Sequence, residues 1–367
     1  MSANGARFSP DWSTPPGRSI SRIMTKLGLS IDELALEVDL SHTAVHSLLK
    51  GDIEISQSIA DRLSDVLGSS SSFWMNRERQ YREDLRRLDP SKYELKALDE
   101  NWAKLFPLRD MRKFGWIAAS TARDNYAHAL RSFFNVSTVQ AWNDNYRPAA
   151  AVAAFRTSPT FESNPAAVTA WLRWAEIVGN QISCSPWNRD ALIKTLPQMR
   201  KLTRRKTPSL FIPALTSLCA LCGIALVIAP APTGCRASGA TKFLNKDKAL
   251  IVLSLRYKSD DHFWFTFFHE VGHLILHSQE ALFLEDNSDI DSPEEQEANL
   301  FAQRTLIPDP FQTTLETVKV RTQSILRLSV QIGVSPGIVV GQLQHSGLIG
   351  RGQMNHLKRR YNWEDFN

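Results

Sequence analysis

The run His269-Glu270-Val271-Gly272-His273 sets two imidazoles four residues apart with a carboxylate between them. On a helix, residues four apart share a face. His269 and His273 can therefore aim ring nitrogens at one ion, with Glu270 beside it. Neutral imidazoles suit zinc, which lowers the pKa of a bound water towards about 7. A neighbouring carboxylate can take that water's proton during attack on a peptide carbonyl and pass it to the leaving amine. The residues thus point to peptide hydrolysis without a nucleophilic side chain. The preceding Phe263-Trp264-Phe265-Thr266-Phe267-Phe268 makes the helix apolar almost all round. Two histidines and a glutamate in its middle would be buried polar groups, costly unless they share a partner, and one zinc ion is the economical partner.

Catalytic zinc takes three protein ligands and keeps one open position. The next strong helical pattern, Pro293 to Leu306, offers Glu294, Glu295 and Glu297. Glu295, Ala298, Asn299, Ala302 and Leu306 recur at helical spacing as a face of small residues that can lie close against the first helix. Glu295 is the expected third ligand and Glu297 the alternative. Asn299, one turn on, can hydrogen-bond a ligand histidine, as second-shell residues do. His277 continues the face of the first helix but a turn further on, which suits a supporting or substrate-side position better than a ligand. His262, ahead of the helix, reads as a surface residue.

Together, His269-Glu270-Val271-Gly272-His273-Leu274-Ile275-Leu276-His277, Glu295-x-x-Ala298-Asn299-x-Phe301-Ala302 and Leu306-Ile307-Pro308 resemble the ImmA/IrrE family of zinc metallopeptidases over roughly residues 210 to 310. The resemblance implies a compact, gluzincin-like peptidase that acts on a transcriptional repressor. It also implies His269, His273 and Glu295 as ligands and Glu270 as base.

These residues need elements to hold them. From Phe211 an apolar helix runs to about Gly223, followed by β-like runs at Ile224 to Ile228 and Ala249 to Leu255, the latter leading at once into the motif helix. That order suggests an α+β catalytic domain. Upstream, Ser30 can cap a helix from Ile31 to Val38 and Ser41 a second from His42 to Lys50, closed by Gly51. Leu34, Ala35, Val38, Leu40, Val45, Leu48 and Leu49 supply the inward positions of a helix-turn-helix. Ser41, His42, Thr43, His46, Ser47 and Lys50 then face DNA. Residues 15 to 88 resemble the HigA-type branch of Cro/repressor (XRE) domains, with Pro16-Gly17 near the start and Phe73-Trp74-Met75-Asn76 near the end. Histidines stand where that family more often has Arg or Gln. A second, shorter pattern at Leu328 to Leu348, broken by Gly333-Val334-Ser335-Pro336, reads as a packing appendage rather than another reader of DNA.

The expected architecture is multidomain and mainly α. A flexible lead (1–14) precedes the helix-turn-helix domain (15–88) and a helical middle region (91–205) serving as sensor or spacer. The zinc metallopeptidase domain (208–315), with its small sheet, and a C-terminal helical appendage (316–367) follow. Asp89-Pro90-Ser91 marks the first break. Apolar residues at 43% and charged residues at 22% exclude wholesale disorder. A net charge of +5 permits a nucleic-acid partner. No apolar run reaches the length of a membrane span, and the amino terminus lacks a secretory core, so a cytoplasmic protein is expected. Cys184, Cys219, Cys222 and Cys235 are spaced like buried free thiols.

The expected function is a DNA-binding regulator with zinc endopeptidase activity on a repressor or antitoxin. Its partners are a duplex operator, the protein substrate and a second copy, since such operators are symmetric. The alternative is a HigA-like antitoxin or repressor whose zinc is structural.

Overall fold

A computed structural model describes residues 12–146, 164–277, 283–285 and 292–366. Most of the amino-terminal lead and of the acidic stretch after Glu285 lies outside the described residues. Contacts divide the chain into two compact units, residues 1–99 and 100–367.

The first unit is helical. Helices α1 (Pro16–Leu27), α2 (Ile31–Glu37), α3 (His42–Lys50), α4 (Gln57–Leu67) and α5 (Ser71–Leu88) follow one another through short turns. Serines start four of them. Ser30, Ser41, Ser56 and Ser70 each accept a hydrogen bond from the backbone N–H three residues on, and the Glu33 carboxylate accepts from the Ser30 N–H to complete a capping box. Gly51 closes α3 in the left-handed conformation. Ile20, Leu34, Val38, Val45, Leu48, Leu63 and Trp74 are buried together, with Leu40 and Leu49 partly buried at the edge. α2 and α3 therefore meet through the positions their apolar spacing predicts.

The second unit is built around a four-stranded sheet with β1 (Ile224–Ile228), β2 (Gly239–Asn245), β3 (Lys248–Leu253) and β4 (Phe283–Glu285) in the order β1-β3-β2-β4. β1 and β3 are parallel, and the other pairings are antiparallel. β1 and β3 are apolar at nearly every position because both faces of the sheet are covered. Ile224, Leu226, Ala249, Ile251 and Leu253 face one core, Ala225, Val227, Leu250 and Val252 the other. The second core comes from the middle of the sequence: α6 (Pro165–Gln181) contributes Ala167, Trp171 and Ala175, joined by Trp102, Phe106, Phe134 and Trp142. The first core is filled by α7 (Arg189–Leu202), α8 (Pro208–Leu221) and α9 (Asp260–Leu276), and by α10 (Pro293–Leu306), α11 (Thr322–Ile332) and α12 (Pro336–His345). The four cysteines form no disulfide; Cys219, Cys222 and Cys235 are buried and Cys184 is half-buried, against the expectation that all four are buried, and burial pushes the Cys219 thiol up.

Among the described residues no single helix is long and apolar enough to cross a membrane. α11 and α12 are apolar but bent by 106°. Val339, Val340 and Leu343 of α12 are buried in the same core as α9, so this pair packs the domain and presents no reading helix.

α9 is held at both ends. At its start Asp261 pairs with Lys358 Nζ at 2.6 Å, and Asp260 accepts from Ser335 Oγ at 2.7 Å and from the Arg359 N–H at 3.0 Å. At its end Arg189 Nε donates to the Ile275 carbonyl, while Arg200, from the same helix α7, donates to the Thr305 carbonyl of α10. One helix therefore satisfies terminal carbonyls of both α9 and α10. Between the ends, Gly272 allows close approach: a Cβ there would stand 3.1 Å from Phe301 Cδ1 and 3.2 Å from Ala298 Cα. Gly272→Val should force α9 and α10 apart. It is expected to lower the unfolding free energy by about 1–3 kcal/mol, as overpacking does. Zinc affinity, measured by competition with a chelating dye, should fall at least about tenfold. Unchanged affinity would show that the helix contact does not set the site.

Candidate functional site

His269, Glu270 and His273 lie in the middle of α9, and Glu295 sits in the first turn of α10, where Ser292 caps the helix by accepting from the Glu295 N–H. All four are buried: Glu270 is 0% exposed, His269 and His273 1% and Glu295 6%. His269 Nε2 is 3.0 Å from Glu295 Oε2, His273 Nε2 is 3.4 Å from Glu295 Oε1, and the two Nε2 atoms are 2.9 Å apart. One ligand atom from each of His269, His273 and Glu295 falls within 4.8 Å of the others.

The far sides of the rings fix which nitrogens carry protons. His269 Nδ1 donates to Asn299 Oδ1 at 3.0 Å, leaving its Nε2 as a bare lone pair. His273 Nδ1 lies 3.0 Å from His277 Nδ1, and His277 Nε2 lies 3.1 Å from Glu297 Oε2. A carboxylate only accepts, so His277 donates there from Nε2, and its Nδ1 is left to accept from His273. The second Nε2 is then bare as well. Two imidazole lone pairs and a carboxylate converge on one point, which suits a divalent cation and the zinc donor set of two histidines and one glutamate.

The electrostatics agree. Burial pushes His273 down to about 4 against the opposing pull of the Glu295 carboxylate, so the ring is neutral at pH 7. Burial alone would raise Glu295. The two imidazoles packed against it outweigh burial and hold the carboxyl well below the usual carboxylate range.

Glu270, about 100° round α9 from His269, faces β2. A Cβ on Gly239 would stand 2.5 Å from Glu270 Oε1, so the first residue of β2 must lack a side chain for this carboxylate to fit. Thr241 Oγ1 also reaches the Glu270 carbonyl at 3.4 Å. Neither Gly239 nor Thr241 was expected from sequence. A glycine opening a strand is the one signal that could have found the first, as a mark of close approach. Glu297, the alternative third ligand, reaches His277 rather than the convergence point.

In the first unit the expected DNA-facing set lies on α3 opposite the buried Val45 and Leu48. His42, Thr43, His46 and Lys50 are exposed there, and Ser47 is half-buried. Ser41 caps the helix and its hydroxyl is 3.0 Å from Thr43 Oγ1. His42 and His46 stack edge to face, and His42 Nε2 is 3.6 Å from Asp32. Exposed hydroxyls, imidazoles and one ammonium suit phosphate and base-edge contacts.

Removing the partner of a ligand histidine should weaken metal binding without unfolding the domain. Asn299→Ala is expected to lower zinc affinity by about 10–100-fold. Glu297→Ala, whose side chain is 63% exposed and acts through His277, should lower it by less. Calorimetric zinc titration checks the order, and a larger effect at Glu297 would reverse the assignment of these two residues.

No curated protein matches the chain. Residues 20–74 match the helix-turn-helix family, and residues 232–343 match the IrrE N-terminal-like domain of the peptidase M78 family. The chain therefore joins an amino-terminal helix-turn-helix domain, which supports DNA binding, to an IrrE/ImmA-like domain of a metallopeptidase family.

Proposed function

We propose that this protein is a cytoplasmic DNA-binding regulator whose second unit is a zinc-dependent endopeptidase, and that its substrate is a repressor or antitoxin protein. The observation that carries the reading is the buried convergence of His269, His273 and Glu295 with Glu270 alongside. When bound, zinc would supply Lewis acidity, polarising a peptide carbonyl and acidifying water. His269 and His273 hold it with neutral Nε2 atoms and Glu295 with a charged carboxylate. The second carboxylate of the site, Glu270, takes a proton from the attacking water and delivers it to the departing amine nitrogen. Gly239 fixes where that carboxylate stands, and the packed aromatic stretch of α9 keeps bulk water from the far side.

The first unit directs the activity to gene control. Ser41, His42, Thr43, His46, Ser47 and Lys50 would meet the operator, with two copies reading a symmetric site. The second reading, an antitoxin-type repressor with structural zinc, draws on the complete burial of Glu270, since a closed site is what structural zinc also prefers.

Glu270→Gln separates the two. The peptidase reading expects unchanged zinc content and loss of hydrolysis by about 100-fold or more, measured on a co-expressed repressor or antitoxin candidate. Gly239→Ala should also keep zinc while slowing hydrolysis at least about tenfold, because its methyl displaces Glu270. If regulation survives Glu270→Gln intact, the structural reading stands. For DNA, Lys50→Ala should reduce the slope of log affinity against log salt by about 0.9 on duplex DNA, the loss of one phosphate contact. An unchanged slope would remove Lys50 from the interface.

A further inference from the structure

Both histidines of the first unit, His42 and His46, lie on the exposed face of α3. All others in the chain belong to the second unit. The two rings meet edge to face with centroids 4.8 Å apart, close to the 4.6 Å that separates His269 from His273. Their surroundings are opposite. The α9 rings are 1% exposed, and Asn299 and His277 occupy their outer nitrogens, which leaves lone pairs for an ion. The His42 side chain is 53% exposed, and neither α3 ring makes a hydrogen bond among the described residues. Imidazole is the side chain that ordinarily changes charge between pH 5 and 8. A buried pair offers lone pairs; an exposed pair offers protons.

Few charges surround the exposed pair. Asp32 of α2 approaches His42 Nε2 at 3.6 Å, with its own side chain 86% exposed. Of the other acids on and after α2, Glu33 is engaged in the Ser30 cap, Glu37 ends the helix, and Asp39 pairs with Arg62 of α4 at 3.0 Å. α1, which packs on α3 where Gly17 meets Leu49, carries the exposed cations Arg18, Arg22 and Lys26 and no acid. Lys50 stands one turn beyond His46 on α3 itself. His42 is also the first residue of α3, so a charge there meets the positive end of the helix dipole, and a charge on His46 repels it from one turn on. In the free chain a proton on this face has Asp32 for it and the dipole, the second ring and these cations against it. A row of phosphates reverses that balance.

We propose that duplex binding is proton-linked: His42 and His46 take up protons when α3 meets the phosphate backbone, so that acidification strengthens the hold on DNA. The proposal rests on the DNA-binding reading of α3 and adds its regulation. A protonated ring donates from both nitrogens and carries a charge, whereas a neutral ring donates from one and carries none. Protons therefore bind more tightly in the complex than in the free chain. The added affinity is full in mild acid and is lost as pH rises through the range in which the bound rings give up their protons. No other side-chain type in the first unit ordinarily changes charge between pH 6 and pH 8.

The test uses the zinc-loaded full chain, freed of excess metal, and a fluorescein-labelled random-sequence DNA duplex, read by anisotropy at fixed salt. Affinity should fall at least about tenfold from pH 6 to pH 8, and the slope of log affinity against log salt should become shallower by about 0.9 for each ring that has lost its proton. The double variant His42→Gln/His46→Gln should lose the gain on acidification, and His42→Arg/His46→Arg should bind tightly at both pH values. Binding by the wild-type chain that is indifferent to pH, or a tenfold pH effect that survives in the Gln variant, overturns the proposal and leaves the DNA-binding reading. Failure of the wild-type chain to bind the duplex at either pH removes that reading, and the proposal with it.

Discussion

The close contact of α9 with α10 is the constraint on which the second unit depends. Gly272 meets Ala298 and Phe301 where larger residues would hold the helices apart, and this approach brings Glu295 within 3.0–3.4 Å of both His269 and His273. The result is a buried layer holding two imidazoles and two carboxylates in a helix pair otherwise packed with aromatic and aliphatic side chains. Such groups are tolerated in an apolar interior only when they satisfy one another or a common ion. The bonds on the outer sides of the rings, to Asn299 and through His277 to Glu297, turn the inner nitrogens into acceptors and so favour the ion.

Much of the remaining architecture keeps that contact in register. The sheet offers α9 a flat apolar wall on one side, and its other face is backed by α6 and the tryptophan cluster of the middle region, which folds as part of the same unit. α7 binds the last turns of α9 and α10 through Arg189 and Arg200, and the chain near Lys358 and Arg359 locks the first turn of α9. Elements distant in sequence thereby determine a site whose reactive residues span fewer than thirty positions.

The chemistry was more legible in the sequence than the scaffold. His269 and His273 announce themselves because helical periodicity alone brings them together, and Glu295 follows because its helix carries a stripe of small residues. Periodicity also separates Glu295 from Glu297: two residues on is about 200° around the helix, so Glu297 points to His277 instead. The two apolar strands were readable as continuous runs. β2 was not, because Gly-Ala-Thr-Lys-Phe-Leu-Asn is half polar and is buried only at its start, beside Glu270. β4, three residues long, is too short to carry a period. The helix-turn-helix was visible through its serine caps and inward leucines and valines. The roles of Gly239, Arg189 and Arg200 depend on contacts with remote segments, which local patterns do not encode.

On the proposed reading, two helices present three protein ligands to one zinc ion. X-ray absorption at the zinc edge of the metal-loaded chain tests it most directly. The account predicts two imidazole nitrogens and carboxylate oxygen in the zinc shell at about 2.0–2.2 Å, with the carboxylate contribution altered in Glu295→Ala. A zinc shell without imidazole, or one that Glu295→Ala leaves unchanged, would contradict it.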